Sequence, residues 1–238
     1  MRLATIISGK NPVIEAIKSG RNVEEIYLQE HTNKDVVPLA SDNKIKYIWM
    51  SKQDISKILD KGHQGVGAKV ADYDYVELEE ALAKDKPFKV FLMLDGLQDP
   101  HNLGAVLRSC DAFAVDGVII PKNRSIGLNA TVAKVSTGAI EHVDVIQVTN
   151  LHQTIRKLKE HGFWVVGTDM DTHQTIHDIR VDTDLVVIIG SEGTGMSRLV
   201  RDNCDYIVKI PMSGHVNSLN ASVSAAITLY EIYRRRGE

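Results

Sequence analysis

The chain has 238 residues, 43% of them hydrophobic and 25% charged, with a formal net charge of −3. This is the composition of an ordinary globular protein, and no apolar run approaches the ~18 residues that a membrane-spanning helix needs. Two cysteines, Cys110 and Cys204, are too few for a disulfide framework or a zinc site and read as buried free thiols. His173 and His177 have helical spacing but lack the surrounding H-E-x-x-H, so no metal centre is expected.

In chain order, MRLATIISGKNPVIEAI has no signal-peptide cleavage pattern and reads as a strand followed by a helix that Asn11-Pro12 opens. Residues 24–29 and 46–49 read as strands. Residues 51–59 read as a helix capped by Ser51, with Asp54 in the capping-box position. Residues 1–71 carry an excess of three positive charges, which suits phosphate contact. Residues 72–87 are strongly acidic and end in Pro87, the pattern of a solvated linker. Beyond it, strands at 89–94, 118–120, 143–148, 164–168, 185–189 and 206–210 alternate with helices at 102–114, 130–137, 151–161, 197–203 and 219–236. That alternation predicts an α/β fold with a mostly parallel sheet.

Ligands of such sheets bind beyond the carboxyl ends of the strands, and three strand-to-helix loops there have unusual chemistry. In 95–110, Asn102 is a natural N-cap, Gly104 falls in the first turn and Arg108 lies one turn further on. In 188–197, Gly190, Gly193 and Gly195 let the backbone approach a ligand closely, and Glu192 offers an acceptor to a ribose or an arginine. This loop has neither the P-loop lysine nor G-x-G-x-x-G spacing, which disfavours a triphosphate or a nicotinamide dinucleotide. In 210–226, Ser218 and Asn220 could each cap the last helix; one cap suffices, so the surplus polarity points to a ligand.

Together these loops resemble the three signature motifs of the SpoU (TrmH-type) branch of the SPOUT RNA 2′-O-ribose methyltransferases. Asn102, Gly104 and Arg108 match N-x-G-x-x-x-R. Gly190, Glu192, Gly193 and Gly195 match G-x-E-G-x-G. Asn217, Ser218, Leu219, Asn220 and Ser222 match N-S-L-N-x-S. Residues 7–17 and His63-Gln64-Gly65-Val66 resemble the substrate-binding domain fused to bacterial members. The closest likeness is to enzymes that methylate a guanosine ribose of 23S ribosomal RNA.

The resemblance implies a small N-terminal α/β RNA-binding domain (1–71), the acidic linker (72–87) and a SPOUT α/β-knot domain (88–238) closed by a C-terminal trefoil knot. It implies S-adenosylmethionine as cofactor, held by Thr168, Gly190, Ile210, Met212, Leu219 and Asn220. It implies RNA as partner, a homodimer through the knot domain and last helix, and a cytoplasmic location. The proposed activator of the 2′-hydroxyl maps onto Arg108, either as a base of lowered pKa or as a clamp for a phosphate and a developing alkoxide. Asn102 and Glu192 would orient Arg108 or the ribose, and Ser218 and Asn220 would hold acceptor and cofactor. Other readings are a tRNA or another rRNA target, a catalytically silent RNA-binding protein, and a nicotinamide-dependent dehydrogenase.

Overall fold

The computed structural model describes residues 4–216 and 218–237. By contact the chain divides into two units, Met1–Asp74 with Leu128–His142, and Tyr75–Gly127 with Val143–Glu238. In the first unit, β1 (Ala4–Ser8), α1 (Lys10–Lys18), β2 (Val23–Gln29), α2 (Val36–Asp42), β3 (Lys46–Met50), α3 (Lys52–Ile58) and β4 (Val66–Ala71) follow one another. The strands form a mixed sheet in the order β1-β4-β2-β3, in which only β2 and β3 run parallel. Alternate residues Ile26 and Leu28 of β2 and Ala68 and Val70 of β4 are buried with Ile7, Val13 and Ile17. Ser51 caps α3 as expected, its hydroxyl accepting from the Asp54 amide.

Two elements of this unit were not read from the sequence. Helix α2 carries Pro38 in its first turn, which hid it, and β4 contains Gly67. That glycine is obligatory, because a Cβ there would lie 2.4 Å from Leu59 Cδ2 and 2.8 Å from the Ile7 carbonyl.

The second unit begins with α4 (Leu78–Ala83), which buries Leu78 and Ala81, while Val76 pairs with Ile146. Part of the acidic stretch is therefore built into this unit's core. There follow β5 (Val90–Asp95), α5 (Pro100–Ala112) and β6 (Gly117–Pro121). Next comes α6 (Ala130–Ser136), which belongs to the first unit and packs on β1 and α1. The chain returns with β7 (Val145–Val148), α7 (Leu151–Glu160), β8 (Trp164–Thr168), β9 (Leu185–Gly190), α8 (Arg198–Arg201), β10 (Tyr206–Val208) and α9 (Ala221–Arg236).

The six strands are all parallel, in the order β10-β8-β9-β5-β6-β7. Strands β5 and β9 lie at the centre, which explains their unbroken apolar runs: both faces are covered. Phe91 stacks on Phe163 at 5.3 Å beside Met93, Ile119, Val186 and Ile188. Each such side chain contributes about 1.5–3 kcal/mol on burial. From β5 the chain proceeds to β6 and β7 on one side, whereas β9 leads to β10 on the other. The β5–β9 seam is thus the topological switch point, where an open parallel sheet offers a crevice at its carboxyl edge.

Helices α5 and α9 begin elsewhere than expected. Helix α5 starts at Pro100, with Asp99 as the N-cap accepting from the His101 amide at 2.9 Å. Proline is preorganised for the first helical position, so the start moves upstream of Asn102, and Gly104 falls in the second turn. Helix α9 starts at Ala221 rather than 219, because Asn220 takes the cap.

Candidate functional site

The loops after β5 and β9 and the segment before α9 meet at the switch point. Asn102 is 8% exposed in the first turn of α5 and donates from Nδ2 to Glu192 Oε1 at 3.0 Å. Asn220 Nδ2 donates to Asn102 Oδ1 at 2.9 Å and to Glu192 Oε1 at 2.6 Å. The three side chains form a closed ring of hydrogen bonds. Asn220 also caps α9, its Oδ1 accepting from the Ser222 amide at 2.9 Å and hydroxyl at 2.6 Å. Both N–H donors and the oxygen of Asn220 are therefore engaged, and its reach to a ligand is through its backbone.

Glu192 Oε1 receives a third, longer contact from the Ala221 amide at 3.4 Å, whereas Oε2 has no hydrogen bond to a described residue. Of the two partners expected for Glu192, a ribose or an arginine, no arginine bonds it among the described residues; the amides of Asn102 and Asn220 do. The charge is held by N–H donors on one oxygen, and the other oxygen is available.

A tight turn positions Glu192. Ser191 and Gly195 exchange backbone hydrogen bonds of 3.1 and 3.0 Å, with Glu192, Gly193 and Thr194 between them. Gly193 and Gly195 hold φ of 87° and 66°, the left-handed region that glycine enters without strain. At Gly190 the reason for glycine is contact: a Cβ would lie 2.2 Å from the Gly195 carbonyl carbon.

This turn walls a cleft of ≈ 570 Å³ beyond β8, β9 and β10. All six residues expected at the cofactor line it: Thr168, Gly190, Ile210, Met212, Leu219 and Asn220. Glu192 and Ser218 line it as well. The Thr168 hydroxyl donates to the Ile188 carbonyl at 3.0 Å, tying the ends of β8 and β9 together. Apolar Ile210, Met212 and Leu219 face backbone-rich glycine turns across a volume within the usual 300–1,000 Å³ of small-molecule sites. That mixture suits a compact ligand with an apolar body and several hydrogen-bonding edges. Sequence reading missed Asp169, Met170 and Lys209, which also line the cleft. Asp169 and Met170 directly follow Thr168, so the strand end itself was the available signal. Asp169 is ion-paired with Arg201.

Arg108 stands apart from this cleft. It is exposed on α5 and makes no hydrogen bond or ion pair with a described residue. Six residues separate it from Asn102, which at about 100° per residue sets the two on different sides of the helix. Asn217 lies outside the described residues. Both cysteines are free; Cys110 is buried as expected, Cys204 only half-buried, and burial pushes the Cys110 thiol well up and that of Cys204 to about 12. Among the described residues no helix is long and apolar enough to cross a membrane.

Residues 89–230 match the SpoU rRNA methylase family, and residues 6–76 match the RNA 2′-O ribose methyltransferase substrate-binding family. A Staphylococcus haemolyticus protein, assigned by name to the TrmH family of tRNA/rRNA methyltransferases, is 49% identical over 97% of this chain and 96% of its own length. Among solved structures, the SpoU methyltransferase AviRb of Streptomyces viridochromogenes, crystallised with AdoMet, superposes with a TM-score of 0.85 at 24% identity, covering 99% of this chain and 91% of its own. An RNA 2′-O ribose methyltransferase superposes at 0.83 with 25% identity, covering 99% of this chain and 90% of its own. The chain belongs to the SpoU family of RNA methyltransferases. The family fold implies the knot expected from the motifs.

Proposed function

We propose that the chain transfers a methyl group from S-adenosylmethionine to a ribose 2′-hydroxyl of RNA, with a guanosine of 23S ribosomal RNA as the target. The observation that carries this reading is the Asn102–Glu192–Asn220 ring beside a cleft lined by all six expected cofactor residues. A tRNA target is the second reading, favoured by the tRNA/rRNA designation of the 49%-identical relative. Residues 1–71, with their positive excess, would dock the RNA in the cytoplasm.

When bound, the cofactor supplies an electrophilic methyl group. Everything else falls to the protein: holding the acceptor in line and handling its proton. Glu192 Oε2 is the acceptor that can receive the 2′-hydroxyl proton, since the amides on Oε1 fix the carboxylate without occupying it. Arg108, exposed and without a partner among the described residues, acts as the clamp: it meets the RNA rather than the cofactor and offsets charge on a phosphate or the developing alkoxide. Ser218 positions the acceptor at the rim. The chain works as a homodimer through α9, whose outer face exposes Val223 at 43% and Tyr230 at 50%. These two are seven residues apart and share one face.

The test is deletion of the gene followed by mapping of 2′-O-methyl groups in ribosomal and transfer RNA. Loss of one guanosine methyl in 23S RNA, restored by the wild-type gene and not by Arg108→Ala, is the expected result. Loss of a tRNA methyl would select the second reading, and an unchanged map would refute both.

A further inference from the structure

A second cleft lies on the other side of the 191–195 turn. It has a volume of ≈ 600 Å³ and opens at the carboxyl ends of β5, β6, β7 and β9. Ser191, Thr194 and Gly195 line both clefts, so one turn is their common wall. The two therefore sit side by side along the same sheet edge.

We propose that this second cleft holds an unpaired nucleotide adjoining the methylated one, with Arg124 on its phosphate. The proposal rests on the RNA methyltransferase reading above.

Three observations carry it. The first is the lining: Gln98 and Asn123 present amides, Asn150 its amide N–H groups (its Oδ1 caps α7 by accepting the Gln153 amide at 3.2 Å), and His152 an imidazole. Amides both donate and accept, which is what the edge of a splayed-out base requires. Leu199, 65% exposed at the rim, offers an apolar surface against which a base can rest. The second is charge. The carboxylate here, Asp95, accepts the Ser197 amide at 2.6 Å through Oδ2 and is not bonded to Arg124. Arg124 is exposed and has no hydrogen bond or ion pair with a described residue.

The third is preorganisation. Arg124 is held at φ 59°, a conformation disfavoured for residues with a Cβ. The loop around it is pinned on both sides. Lys122 donates its amide to the Val148 carbonyl at 2.8 Å, and the Ser125 hydroxyl and Ile126 amide both donate to the Leu97 carbonyl, at 3.0 and 2.8 Å. A guanidinium with no partner among the described residues, carried on a fixed loop at the mouth of an amide-lined cleft, is built to meet an anion. Backbone outliers of this kind gather at ligand clamps.

The experiment compares wild type, Arg124→Glu, Arg124→Lys and Asn123→Ala, using tritiated S-adenosylmethionine and bulk ribosomal and transfer RNA from cells lacking the gene. Arg124→Glu is expected to raise KM for RNA about tenfold with kcat and cofactor affinity unchanged, and Arg124→Lys to restore most of the loss. The slope of log KM against log salt should fall by about 0.7, the value for one phosphate contact on a single strand. Asn123→Ala should raise KM without altering that slope. A wild-type KM and salt slope in Arg124→Glu, or loss of cofactor affinity in parallel, would overturn the proposal. Filter binding of the same RNA runs independently of turnover. If the wild type transfers no methyl group, the activity reading fails, and equal RNA affinity of wild type and Arg124→Glu would then refute the cleft separately.

Discussion

Glu192 shows how one side chain can be both fixed and free. Its Oε1 is gripped by Asn102 and Asn220, and its Oε2 has no hydrogen bond to a described residue. Glu192→Gln can keep the carbonyl oxygen toward the two amides while replacing the open oxygen with a donor. It should therefore lower kcat by about 10²–10⁴, the range for a lost general base, with cofactor affinity within a few-fold of wild type. Single-turnover methylation with a parallel binding titration checks this, and a wild-type kcat would assign the proton to another group. At this scale the sequence was informative about identity and silent about partnership. Asn220 was legible as polar surplus and Asn102 as the N-cap of α5, but that cap went to Asp99 beside Pro100. Asn102 was thereby freed for a contact 118 residues away in the chain.

Among elements, the 191–195 turn is the one on which both clefts depend. Its glycines were visible in the sequence, but their reasons differ. Gly193 and Gly195 are needed for backbone conformation, whereas Gly190 is needed because β9 passes within contact of Gly195. Gly190→Ala forces a 2.2 Å approach that backbone must relieve by moving. It should weaken S-adenosylmethionine binding more than tenfold and lower the melting temperature, measured by calorimetry with and without the cofactor. Unaltered affinity would mean that the turn does not cradle the ligand. Helix α2 and strand β4 went unread for related reasons. A proline in the first turn and a glycine in a short strand weaken local signals that tertiary packing then overrides.

For the whole molecule, the proposed dimer is testable on the face of α9 that carries Val223 and Tyr230. The double change Val223→Glu and Tyr230→Glu sets two charges on that face and should yield monomers in sedimentation equilibrium, with methyl transfer reduced. A stable dimer would place the interface elsewhere. The parallel sheet was legible from the sequence alone, because buried strands such as Val90–Asp95 and Leu185–Gly190 must be apolar on both faces. So were the three loops, each by its own signal: Asn102, Gly104 and Arg108 in the first, the clustered glycines around Glu192 in the second, and more caps than one helix needs in the third. The periodicity of the elements, the fold class and the chemical inventory of the site were thus legible in the chain alone. Strand order was decided only in three dimensions. Bringing β5 beside β9 makes the switch point, joins Asn102, Glu192 and Asn220 in one ring, and leaves Arg108 outside the cleft. The physical reason is that local pattern reports which face of an element is buried, whereas the partner across that face is chosen by packing between segments distant in the chain.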